Sequence, residues 1–254
     1  MNKIRYRRET GMGKEPVLGV LVLDTRFPRL VGDPGNEDTY NFPVVLKRVE
    51  GAFVNKIVSP NIEEDVAQLF VKAAVELEKR KVSAITTSCG FLIILQRRLS
   101  SAVKVPVYTS PLLLLPLVHN ITRKPIGILT ASSEALTKHH LEEAGAEGLD
   151  VRIKGLQTKP EFSRVILRNS NDMKEDLMER EIVSAAEELV DENPDIGSIL
   201  CECTNLAPFR EAIHEATGLP IFDYLTLLSI ALSAAATYSM KPFYNVRVGE
   251  RRLR

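Results

Sequence analysis

The sequence predicts an α/β protein of two pseudo-symmetric, Rossmann-like domains with short parallel sheets and an active site in the cleft between them. Three observations carry this expectation. Near-continuous apolar runs, the pattern of parallel strands covered on both faces, alternate with segments of helical spacing. The order of these segments occurs twice. In each copy a cysteine closes an apolar run, Cys89 in T-T-S-C-G-F and Cys203 in C-E-C-T-N-L, and a proline follows 17 residues later, Pro106 and Pro220.

Taken in order, the first half offers strands at 16–24, 53–58, 82–87 and 105–109, and the second at 125–130, 151–156, 197–203 and 219–222. Helical spacing with charged faces marks 63–81, 91–102, 133–144, 172–192 and 206–217. A parallel return needs a crossover, usually a helix, so this alternation points to parallel sheets. Pro16 precedes Cys89 by 73 residues and Pro125 precedes Cys203 by 78, which puts the two copies in register. The expected division is 1–113 for the first domain, with a basic tail at 1–15, then 114–223 for the second, and a C-terminal helix and tail at 224–254 returning to the first. Residues 25–43, rich in proline, glycine and short polar side chains, form a loop at the C-terminal end of the first strand, where open α/β sheets bind ligands.

Composition narrows the function. With 33 basic and 33 acidic residues no global field favours nucleic acid or anionic lipid, so the expected partner is a small molecule. The basic clusters near Lys3 and at 247–254 read as solvated tails. The apolar stretch 224–239 is shorter than the roughly 20 residues a membrane span needs. The first 15 residues lack the apolar core of a secretory signal, and three cysteines are an odd, low count suited to a reducing compartment. A cytoplasmic location is expected.

A thiol at the end of a parallel strand, just before a helix, sits in the positive field of the helix N-terminus, which is expected to lower its pKa from about 8.5 toward neutrality. Such a thiol serves as base in one direction and acid in the other. Buried free cysteine is also ordinary core packing, and Cys201, two residues before Cys203, is read that way. The C-E-C spacing lacks the further ligands a structural zinc needs, and adjacent His139 and His140 do not share a helix face, so no metal is expected. The first strand leads into D-T-R-F-P-R instead of G-x-G-x-x-G, which disfavours a dinucleotide. Glu202, alternating with Cys203 along the strand, is expected to face away from it.

Strand-end cysteines in both halves, with C-T-N in the second, resemble the cofactor-independent aspartate/glutamate/hydantoin racemase superfamily over roughly residues 16–224. The resemblance implies an isomerase, a racemase or epimerase of a small chiral carboxylic acid. Cys89 and Cys203 would exchange base and acid roles at the α-carbon, with no cofactor, in a homodimer. It implies substrate contacts from Asp24, Thr25, Thr87, Ser88, Gly90, Thr130, Ser132, Thr204 and Asn205, and the loop could add Asn36 and Thr39. Two departures stand out: Gly90 and Phe91 follow the first cysteine where asparagine and threonine are usual, and Glu202 and Asn205 flank the second motif where glycine and histidine are usual. Relatives of the same fold suggest alternatives, a decarboxylase or a cis-trans isomerase. A non-catalytic small-acid binding protein is the reading from a different class.

Overall fold

The computed structural model describes residues 16–235. The basic clusters at both ends lie outside them, as does the end of the expected C-terminal helix. The first half forms a parallel sheet from β1 (Leu18–Leu23), β2 (Val44–Val49), β3 (Ala84–Thr87) and β4 (Val107–Tyr108), in the order β2-β1-β3-β4. The second half repeats it with β5 (Ile126–Thr130), β6 (Val151–Gly155), β7 (Ser198–Cys201) and β8 (Ile221–Phe222), in the order β6-β5-β7-β8. The expected fold class is borne out.

The central strands are the continuous apolar runs. β3, β5 and β7 are buried along their whole length, and β1 nearly so. Each first strand carries a glycine at its second residue, with the same cause in both. A Cβ on Gly19 would stand 3.0 Å from Leu77 Cδ1, and one on Gly127 2.8 Å from Leu189 Cδ2. Those leucines belong to the covering helices Glu64–Lys79 and Glu175–Glu192. Glycine here lets each helix lie close against its sheet.

One expected strand is corrected. Residues 53–58 contain a helical turn, Val54–Ile57, and the second strand is Val44–Val49. The turn buries Val54 and Ile57, three residues apart, a helical interval. β2 is an edge strand, half-exposed and interrupted by Lys47 and Arg48, so its sequence lacks the apolar continuity of the central strands. Several helices also start later than their spacing suggested: 3-10 turns at Gly90–Leu95 and Thr204–Phe209 precede the helices Gln96–Ala102 and Arg210–Thr217, and residues 133–137 are a turn before Lys138–Glu143. The leucine-rich run after β4 is a 3-10 turn, Pro111–Leu114, followed by a helix, Leu115–Thr122.

The helix Tyr224–Ala235 packs Tyr224, Leu228 and Leu232 against Leu18, Val20 and Ala84 of the first sheet. Its first residue also reaches the long loop. The hydroxyls of Tyr224 and Tyr40 lie 3.0 Å apart, and Tyr40 donates to the Pro34 carbonyl at 2.7 Å. No described helix is long and apolar enough to cross a membrane.

Candidate active site

Both cysteines reach the site by the same route. Two residues beyond the end of β3 stands Cys89, after Ser88; two residues beyond the end of β7 stands Cys203, after Glu202. A 3-10 turn then begins in each half, and its first amides lack partners within the helix. The two strand ends touch, because Thr204 Oγ1 donates to the Ser88 carbonyl at 2.8 Å. Cys89, Cys203, Glu202, Ser88, Thr204 and Asn205 consequently line one narrow cavity. Its remaining wall is apolar, with Phe27, Phe91, Val54, Val58 and Ile166 among it.

This dry setting corrects the expectation of acidic thiols. Burial, followed by the negative charge of Glu202, pushes the Cys89 thiol up to about 12. Burial, Glu202 and the neighbouring Cys89 push Cys203 well above its ordinary value. The opening elements are short 3-10 turns, so their end field is outweighed by desolvation and by an acid that strand alternation placed on the other face. The two thiols also differ. Cys203 is buried and donates to Asn205 Oδ1 at 3.7 Å, whereas Cys89 is partly exposed.

Glu202 is the second correction. Alternation along a strand predicts that it faces away from Cys203, but β7 ends at Cys201, so the chain has left the pleat before Glu202. Its carboxyl is fully buried, accepts from Thr130 Oγ1 at 2.7 Å, and is raised by desolvation to about 7. Cys201 is fully buried in the core.

The long loop contributes residues that the sequence did not single out. Arg29 Nη1 meets Asp33 Oδ1 at 2.7 Å, with both side chains largely buried, and the Arg29 guanidinium lies 4.8 Å over the Phe27 ring. Arg29 Nη2 donates to Thr25 Oγ1 at 3.1 Å and to Ser88 Oγ at 3.4 Å. Asn205 Nδ2 donates to Asp33 Oδ2 at 2.5 Å, which ties the loop to the Cys203 turn. The only forewarning was their place in a long loop at a strand end.

The other expected contacts divide between cavity and scaffold. Gly90 opens the first turn against Glu202. Thr87 Oγ1 donates to the Thr109 carbonyl at 2.6 Å, and Ser132 Oγ accepts from Ala135 N at 3.3 Å. Asn36 caps the turn Glu37–Thr39 and donates to the Arg29 carbonyl; Thr39 donates to the Asp33 carbonyl at 2.7 Å. Asp24 is held by Arg48 and by Gly51 N at 2.9 Å, beside a separate open hollow. Among the described residues no group of three histidine, cysteine or acidic side chains is arranged to hold a metal.

No protein-family profile matches the chain. Among curated proteins it is 34% identical over 230 residues to a dimethylsulfoniopropionate lyase of Durusdinium sp. clade D, covering 85% of this chain and 76% of that protein. It is 31% identical over 230 residues to dimethylsulfoniopropionate lyase 3 of Emiliania huxleyi (strain CCMP1516), covering 86% of this chain and 60% of that one. The chain thus spans less than two thirds of the latter's length. Among solved structures, unliganded arylmalonate decarboxylase matches with a TM-score of 0.57 at 14% identity, covering 88% of this chain and 94% of that one. Picrophilus torridus aspartate racemase matches at 0.57 and 13%, covering 89% and 96%. The resemblance to the aspartate/glutamate racemase superfamily is therefore borne out as fold. The expected activity is not: the relatives that share substantial sequence carry the name of a lyase, which overturns the reading of the chain as a racemase and isomerase.

Proposed function

We propose, because the chain belongs to the dimethylsulfoniopropionate lyase family, that it cleaves the carbon–sulfur bond of a sulfonium-bearing propionate by β-elimination. The observation that carries this reading is the 34% identity to the Durusdinium lyase across 85% of the chain. The geometry supports it. A cavity shared by a thiol, a second thiol and a carboxyl offers a proton acceptor in a water-poor, largely apolar setting.

In the proposed reaction, Cys89 as thiolate takes the proton from the carbon next to the carboxylate. The freed electron pair forms the double bond, and the carbon–sulfur pair leaves with dimethyl sulfide. Propenoate remains, and the proton on Cys89 then passes to solvent. A sulfonium departs as a neutral sulfide, so its departure needs no general acid. One base is enough. We assign that role to Cys89 because it is the less buried residue of the pair, while the Cys203 proton is engaged with Asn205. The first amides of the two turns, at Gly90 and Thr204, have no partner within their own turn and are suited to the substrate carboxylate.

A homodimer belongs to the same reading. Leu117 and Ile121, four residues apart on the helix Leu115–Thr122, expose large apolar side chains on one face. Light scattering checks the dimer.

Purified protein given dimethylsulfoniopropionate is expected to release dimethyl sulfide, measured by gas chromatography, and propenoate, measured by NMR, in equal amounts. Carbon dioxide release from a substituted malonate, with no dimethyl sulfide from the sulfonium acid, would replace this reading with the decarboxylase.

A further inference from the structure

The Glu202 carboxyl is the most unusual polar group of the site. Oε2 accepts from Thr130, but Oε1 is buried without a hydrogen-bond partner. A buried acceptor left unmet keeps the full penalty of its lost hydration. The backbone is also shaped around this side chain. A Cβ on Gly90 would stand 2.2 Å from both the carbonyl oxygen and Oε1 of Glu202, closer than any side chain permits. The two departures from the racemase pattern, glycine after the first cysteine and glutamate before the second, are thus one steric arrangement.

Charge sharpens the point. Asp33, the other buried acid of the site, is answered by Arg29 at 2.7 Å and by Asn205. No cation stands against Glu202 among the described residues, and desolvation dominates its environment. A primary ammonium brings three N–H donors and needs several converging acceptors. This cavity gives one unmatched carboxyl oxygen amid Phe27, Phe91, Val54 and Val58. Such a wall suits a cation that has no N–H, whose charge is spread over methyl groups able to pack on apolar and aromatic surface.

We propose that Glu202 is the specificity-determining counter-charge for the fully alkylated, cationic end of the substrate, and that it selects onium carboxylates over neutral or ammonium-bearing acids. The inference deepens the lyase reading and rests on it for the identity of the onium as a sulfonium. It has a mechanistic consequence. A seated cation offsets the field that Glu202 exerts at both sulfurs, so thiolate formation is eased when the matching substrate is in place.

The test compares two ligands by calorimetry. One is trimethylammonio-propanoate, a charged analogue; the other is isocaproate, in which a CH group replaces the sulfonium sulfur. The native protein should bind the onium acid about tenfold or more tightly than isocaproate, and Glu202→Gln should lose that margin on the onium side only. Equal weakening of both ligands, or an onium preference intact in the variant, overturns the proposal. Native protein that binds isocaproate as tightly as the onium acid overturns it with no variant needed. If the onium preference depends on Glu202 but no dimethyl sulfide is released, the counter-charge stands and the lyase reading falls. Dimethyl sulfide release with an unchanged KM in Glu202→Gln does the reverse: the lyase reading stands and the counter-charge falls.

Discussion

β1 and β5 hold the same place in their sheets, yet the chain leaves them differently. After β1 it runs through residues 24–43 before the next strand begins, whereas after β5 a short turn at 131–137 leads into the helix Lys138–Glu143. The residue before each cysteine differs as well: Ser88 in the first half, Glu202 in the second. The first half therefore brings to the site a closed ion pair, Arg29 and Asp33, carried by the loop. The second brings a carboxyl that no cation among the described residues answers. A duplicated scaffold has been given unequal chemistry. Racemisation treats the two faces of a carbon alike, while an elimination needs a base on one side and a setting for a departing group on the other.

The widest test of this inequality is at the sulfurs. Cys89→Ser should reduce dimethyl sulfide release by about 10²–10⁴-fold, the usual contribution of a general base. Cys203→Ser should cost about tenfold, or roughly 1.4 kcal/mol of barrier. Equal losses would restore symmetry to the site and remove the argument for a single base.

A second test removes the ion pair that the loop brings to the first half. Asp33→Ala leaves Arg29 buried without its partner, and unfolding in urea should show a loss of about 3–5 kcal/mol. A loss below about 1 kcal/mol, the worth of a surface pair, would mean the loop is not anchored by it.

The third concerns the second half's carboxyl. Glu202 titrates at about 7 in the folded protein against an ordinary 4.5. Between those values the unfolded chain has released its proton and the folded chain keeps it. Folded stability should therefore fall as pH rises across this interval, by on the order of 3 kcal/mol. Above the folded pKa this contribution levels off. Glu202→Gln should abolish that part of the slope, read from urea unfolding at several pH values. Parallel curves for the two proteins would show that the carboxyl is not held in the dry environment described.

Much of the architecture was legible because parallel strands buried on both faces write continuous apolar runs, as 18–23, 84–87, 126–130 and 198–201 do. The edge strand Val44–Val49 was not, since half-exposure leaves Lys47 and Arg48 in the pattern. The paired cysteines could be located because they end those central runs. Their electrostatics could not, because a pKa in a closed cavity depends on what crosses from the other half. Ser88 meets Thr204, and Gly90 meets Glu202, across more than a hundred residues of sequence. Arg29 and Asp33 were hidden for another reason: an irregular loop has no period from which to read which side chains turn inward. Sequence did flag both Gly90 and Glu202 as departures. Only the close approach of the two backbones shows that they belong together.

The hydroxyl contact between Tyr40 and Tyr224 joins positions 184 residues apart. The segment that carries Arg29 and Asp33 leaves the ribosome well before its tether, Tyr224, does. A nascent chain can assemble its first sheet long before it can fasten the cover over its own sulfur. Closure of this cover therefore waits until Tyr224 has been made.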